Sequence, residues 1–256
     1  MDAPSNSTGE PGAPLVSDDD FDAQVAGVAA LDEPVRRALY RYVVAQPGPV
    51  SRDQAAEGTG VPRHVAKFHL DKLAEEGLLE VEFRRPAGRG GPGAGRPTKL
   101  YRRSSRELRV SLPERRYELA GQVMAQAIVD AEHNDVPIAA ALRRTAKGTG
   151  RTLGEEARRR VGSRASQAAL QAAARGVLAE VGYEPRTDPD GLTLVNCPFH
   201  ALAQNYTDLV CGMNLDLIDG LLVGLGRANL EARLDPAPGR CCVTVRRRPP
   251  ARRRTP

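Results

Sequence analysis

The 256-residue chain has no tryptophan, 4% aromatic residues, four histidines and no cysteine before position 197. No apolar run reaches the length of a membrane span, which argues against a membrane protein. The first twenty residues, MDAPSNSTGEPGAPLVSDDD, lack the charged-then-apolar order of a secretory signal, so a cytoplasmic location is expected. In a reducing compartment four cysteines are not expected to form a disulfide framework; they read as free thiols, metal ligands or redox sensors. So few histidines leave little material for a cysteine enzyme, which needs a thiolate, a base and an orienting partner. The chain is therefore not read as an enzyme, and a thiol-redox enzyme is the weakest alternative.

What is present points elsewhere. Hydrophobic residues make up 41% of the chain, enough for a sizeable core, and the length suits two small domains. The net charge is +5, with cations concentrated between Arg63 and Arg116 and again in the last eleven residues. Double-stranded DNA is the natural partner for such a distribution.

The stretch from Ser51 to Glu80, SRDQAAEGTGVPRHVAKFHLDKLAEEGLLE, carries the clearest organisation. Ser51 with Gln54 forms the pattern of a capping box, and Gly58-Thr59-Gly60 supplies a tight turn. A second helix follows, with Pro62 in its first turn and Gly77 as its stop. Its expected inward stripe is Val65, Phe68, Leu70 and Leu73, which leaves Arg63, His64, Lys67, His69 and Lys72 outside. Two short helices joined by a tight turn, the second with a basic face, suit a reader of the DNA major groove. Leu78 to Phe83 alternates as a strand, and Thr98 to Arg102 returns as another. The glycine-rich tip between them carries Arg84, Arg85, Arg89 and Arg96, beside Lys99, and such cations suit phosphate contact or minor-groove insertion. Residues Val65 to Leu79 and Gly95 to Arg102 resemble the winged helix-turn-helix domain of ArsR-like and DeoR-like bacterial repressors.

Around this motif the chain divides into a leader (1–24), a DNA-binding domain (25–105), a linking and dimerisation helix (106–135), a cysteine-containing sensor domain (136–245) and a basic tail (246–256). Asp32 is expected to cap a helix over 33–45, and Val50 to form a short strand. A broad apolar face from Tyr117 to Ile128 suggests that the linking helix forms a homodimer, which would match two-fold operator symmetry. Helices are expected over 136–145 and 163–181, with Lys147-Gly148-Thr149-Gly150 as a loop. The GTGRTLG stretch lacks both the ending of a phosphate loop and a strand before it. After Gly182 the period changes to a hairpin turning at Asp188 to Gly191, a short helix to 205, a helix over 208–225, and strands over 229–234 and 241–245. The fold class is therefore α+β, with helices on a small antiparallel sheet.

All the cysteines, Cys197, Cys211, Cys241 and Cys242, lie in the last quarter of the chain. Their surroundings, NCPFH at 196–200, LVCGMN at 209–214, LLVGLG at 221–226 and GRCCV at 239–243, resemble the sensor region of the SufR family of iron–sulfur repressors. Cys197 and Cys211 match the first two of that family's four cysteines and Cys241 falls near the fourth; the third position lies close to Leu225. The resemblance implies a redox sensor in which Cys197, Cys211 and Cys241 hold an iron–sulfur cluster, 4Fe–4S rather than 2Fe–2S, and in which the cluster's state alters operator affinity. His200 or Cys242 is a candidate fourth ligand, and zinc is the competing ion. The function expected is repression of Suf-type cluster-assembly genes. A zinc-stabilised or small-molecule-responsive ArsR-like repressor is the alternative.

Overall fold

The computed structural model describes residues 18–84, 97–226 and 228–248, and its fold is mixed α+β. Two compact units meet in sequence at Val110 and Ser111.

The N-terminal unit opens with α1 (Asp18–Ala30). Residues 18–24, expected to belong to the leader, are thus helical. They are tied down from the far end of the domain: Arg106 Nη2 donates to Ala23 O at 2.9 Å, and Arg109 N donates to Gln24 Oε1 at 2.6 Å. Next, α2 (Pro34–Val44) is capped by Glu33 rather than Asp32. The Glu33 carboxylate accepts from the backbone N–H groups of Val35 at 3.1 Å and Arg36 at 2.6 Å, which satisfies two amides that have no partner inside the helix. The remaining elements are β1 (Val50–Ser51), α3 (Arg52–Thr59), α4 (Arg63–Glu75), β2 (Leu79–Arg84) and β3 (Thr98–Arg103). The strands form an antiparallel sheet in the order β1-β3-β2, with Tyr101 opposite both Val50 and Val81. Leu39, Leu70, Leu73 and Tyr101 are fully buried at the centre of this unit's core.

The C-terminal unit begins with α5 (Tyr117–Asn134), which buries Ala120, Val123, Ala127 and Ala131 and leaves Ile128 and Val129 exposed. It packs on α6 (Ile138–Val161). The expected loop at Lys147–Gly150 lies within α6, a single 24-residue helix. Gly150 and Gly154 are buried against the later helix over Thr207–Gly224, where only hydrogen leaves room for the neighbouring backbone. After α7 (Gln167–Glu180) come β4 (Pro185–Asp188), β5 (Gly191–Leu194), α8 (His200–Asn205), α9 (Thr207–Gly224), β6 (Leu230–Leu234) and β7 (Val243–Arg247). These strands make a second antiparallel sheet in the order β4-β5-β7-β6. The last strand runs two residues further than the sequence suggests, so Arg246 and Arg247 belong to the sheet and not to a tail. Arg247 pairs with Leu230 across the ladder, and Arg246 Nη1 bonds Asp188 at 2.9 Å. Residues 249–256 of the expected tail and 1–17 of the leader lie outside the described residues. No helix among the described residues is long and apolar enough to cross a membrane.

Candidate functional site

Among the described residues, two places gather functional side chains. In the C-terminal unit they gather where α9 meets the approach to β7. Cys211 and Asn214 sit one helical turn apart on α9, so they share a face. That face meets Cys242 and Cys241: Cys211 and Cys242 form a disulfide with Cα atoms 6.4 Å apart, and Asn214 Nδ2 donates to Cys241 Sγ at 3.2 Å. Cys197, which follows β5, completes the group, because its thiol hydrogen-bonds that of Cys241. The expectation of four reduced thiols is corrected for Cys211 and Cys242, which are bonded to each other. Cys197 and Cys241 are the free pair, and both are buried.

Around them runs a polar network that the sequence reading missed. The Tyr183 hydroxyl donates to Asn214 Oδ1, and both residues are about 1% exposed. Arg115 Nη1 reaches Asn196 Oδ1 and, at 3.3 Å, the carbonyl of Cys197. Asn196 Nδ2 donates in turn to Gly182 O at 2.6 Å and Glu114 O at 2.8 Å. The hydrogen bond between the two thiols lowers the pKa of Cys197, helped by the Phe199 backbone and the Arg115 charge, and raises that of Cys241, which is also more deeply buried. A signal for Asn214 was available: it is a lone amide on an otherwise apolar helical face, and buried amides need partners.

His200 is exposed, and only its backbone N–H meets Cys197, at the carbonyl oxygen. Leu225, where the resemblance would place another cysteine, is fully buried in the core. Among the described residues no three His, Cys, Asp or Glu side chains form a set that could hold a metal.

The second place is the pair α3–α4. Ser51 Oγ accepts from Gln54 N at 3.2 Å, and Gln54 Oε1 accepts from Ser51 N at 2.9 Å, closing the expected capping box. Gly58 and Thr59, expected in the turn, are the last residues of α3, and Gly60 alone ends it at φ 68°, a left-handed angle that glycine adopts without strain. The chain then re-enters helix at Arg63. Along α4, Ala66, Leu70 and Leu73 are buried, whereas Arg63, His64, Lys67 and Phe68 share the exposed face.

Two assignments on α4 are therefore exchanged. Phe68, expected inside, is 66% exposed. His69, expected outside, has a side chain only 13% exposed and lies with Nδ1 3.6 Å from the Glu33 carboxylate. The cause is helical phase: Ala66, not Phe68, completes the inward stripe with Leu70 and Leu73.

The other expected contacts divide. Arg63 Nη2 holds Asp53 Oδ2 at 2.8 Å, Lys67 holds Asp71 at 3.1 Å, and Lys72 lies 3.0 Å from Glu76 and 3.4 Å from Glu75. Arg84 bonds Glu82 at 2.7 Å. Arg85, Arg89 and Arg96 lie outside the described residues. The family described as "Helix-turn-helix domain" matches residues 31–82. These residues form a DNA-binding type of domain, in which the second helix of the pair enters the major groove. No curated protein and no solved structure matches the chain.

Within the helix-turn-helix domain, Asp71 is a further residue that the sequence reading passed over. Its Oδ1 accepts from Lys99 Nζ at 2.5 Å and from the Tyr101 hydroxyl at 2.6 Å, while Oδ2 takes Lys67. Lys99 is thereby turned toward the protein and ties α4 to β3. Partial burial acts to raise the Asp71 pKa, but the hydrogen bonds from Lys99, Tyr101 and Lys67 outweigh it and bring the value to about 2. A carboxylate lowered in the folded state contributes stability that is complete above its unfolded pKa and is lost as pH falls through the folded one. Asp71→Asn is therefore expected to cost this domain about 1 to 2 kcal/mol at neutral pH, and the gap from wild type should close between about pH 4 and pH 2. Urea titrations of both proteins across that range, followed by circular dichroism, check it; a gap independent of pH would refute the assignment.

Proposed function

We propose that the chain is a transcriptional repressor that binds operator DNA as a homodimer through the helix-turn-helix domain and senses iron–sulfur or redox status through its C-terminal cysteines. The observation that carries the DNA half is the exposed basic face of α4, with Arg63, His64 and Lys67 at the position of a recognition helix. The sensing half draws support from two cysteine pairs near the approach of α9 to β7, Cys211–Cys242 and Cys197–Cys241, each joining residues distant in sequence.

With Cys211 and Cys242 bonded, the two free thiols are too few to hold a cluster. Reduction of that bond would raise the number of available sulfurs to four, the usual complement for an iron–sulfur cluster. Cys197, Cys211 and Cys241 would then be ligands, with Cys242 the nearest candidate for a fourth and exposed His200 a poorer one. A bound cluster would supply a charged centre whose gain or loss is coupled to affinity at the DNA site. Asn214 would donate a hydrogen bond to a ligand sulfur, and Tyr183 would hold that amide in place.

The Cys211–Cys242 bond also favours a second reading, a thiol–disulfide sensor without metal. There the two thiols give two electrons and two protons to an oxidant such as a hydroperoxide, and DNA affinity follows the resulting bond.

One experiment separates the two. Protein purified without oxygen and fully reduced is assayed for iron, acid-labile sulfide and visible charge-transfer absorption, then for duplex binding before and after oxidation. The cluster reading expects stoichiometric iron and sulfide, with both lost in Cys211→Ser. Iron-free protein whose DNA affinity still responds to oxidation, with the response abolished in Cys242→Ser, would replace it with the thiol–disulfide reading. DNA affinity indifferent to oxidation in iron-free protein would remove the sensing half altogether.

A further inference from the structure

The chain has four phenylalanines, and two of them, Phe68 and Phe83, are about two-thirds exposed. Phe83 lies on β2, opposite Lys99. Phe68 lies on the outward face of α4, four residues after His64 and one after Lys67, so its ring stands among the side chains expected to meet DNA. An apolar ring in water gains nothing from its exposure, and a purely electrostatic grip on phosphates has no use for one. The ring is also held by its neighbour. It meets the His69 imidazole edge-on, with centroids 5.2 Å apart and planes at 73°. His69 is in turn set beside Glu33, the residue that caps α2. Phe68 is thus braced by the domain at its base and free at its tip.

The major groove presents one apolar feature among its donors and acceptors, the 5-methyl group of thymine. We infer that Phe68 reads a thymine methyl group in the operator and so acts as a specificity determinant beside the positioning cations Arg63 and Lys67. This inference rests on the reading of α4 as a recognition helix. It fixes what kind of base the helix selects.

The test uses the full-length protein. Duplexes are selected in vitro from a random library, and each thymine of the winning sequence is then replaced singly by deoxyuridine, which removes only the methyl. Wild type is expected to lose about fourfold in affinity at the contacted thymine, the equivalent of about one buried methyl group. Phe68→Ala is expected to bind with a flat thymine-to-deoxyuridine profile, an unchanged salt dependence and an unchanged melting temperature, because its ring is exposed. Phe68→Leu should keep part of the discrimination.

A wild-type profile that is flat, or equally peaked in Phe68→Ala, overturns the inference and leaves DNA binding standing. The same holds if Phe68→Ala leaves the profile intact but alters self-association in sedimentation, which would make the ring part of a protein contact. If selection yields no preferred sequence at all, the recognition-helix reading fails and the inference fails with it.

Discussion

Gly154→Ala is expected to destabilise the C-terminal unit by about 3 kcal/mol, in the upper part of the range for overpacking a close contact, whereas Gly148→Ala, on the same helix, is expected to stabilise it by up to about 1 kcal/mol. The difference lies in what a methyl group would meet. At Gly154 it would overlap the carbonyl oxygen of Leu221, and at Gly150 that of Leu217; from the other helix, Gly220 and Gly224 face the carbonyls of Lys147 and Arg151 in the same way. Each helix therefore offers two glycines four residues apart, about one turn, to the backbone of its partner. A flexible side chain could swing aside from an added methyl, but a helical carbonyl moves only with its helix. Relief would require α6 and α9 to separate along a contact that also organises Leu217, Leu221 and Leu222 in the core. Gly148 has nothing within 4 Å of an added Cβ, so alanine there only removes backbone freedom from the unfolded chain. Urea unfolding of the full-length variants, monitored by circular dichroism, gives both values, and equal stability of the two alanine proteins would refute this account of the helix contact.

The same glycines mark where the sequence became hard to read. Short-range signals served well: the Ser51–Gln54 capping box, the left-handed turn at Gly60, the alternation of β2 and the turn between β4 and β5 are each written within a few residues. The Lys147–Gly150 segment is different, because its local composition favours a turn while its helical state is supported by α9, about seventy residues further on. A four-residue glycine spacing present in both segments was the available clue. Residues 18–24 misled in the opposite way, since their acidic composition suggests disorder until the tie to Arg106 and Arg109 is known. An inward Phe68 is the expectation because apolar residues usually lie inside. That rule is least dependable on a binding surface, where local preference gives way to what the surface must contact. Asp71 and Asn214 are polar residues on helices, and their roles depend on partners from β3 and from the approach to β7, which helical periodicity does not reveal.

The combined substitution Arg63→Ala with Lys67→Ala is expected to weaken duplex binding about fiftyfold near 0.1 M salt and to flatten the dependence of log affinity on log salt by about two. The estimate follows from counterion release, in which each lost phosphate contact removes about 0.9 of a released ion and so about eightfold in affinity at that salt. Both cations are well placed for such contacts, with side chains 62% and 57% exposed on the outer face of α4. Neither is free in the unbound protein, since Asp53 holds Arg63 and Asp71 holds Lys67. These pairs are exposed enough in water to be worth less than about 1 kcal/mol each, so DNA can draw the cations away at little cost, and their loss should barely change folding stability. The carboxylates they leave behind repel phosphate. Asp53→Asn alone should therefore strengthen binding at low salt while leaving Arg63 in place, a change opposite in sign to the double substitution and outside the reach of a general folding defect. Fluorescence anisotropy with a labelled duplex between about 50 and 200 mM salt measures both. If the double variant keeps the wild-type slope, α4 is not the face that meets the phosphates.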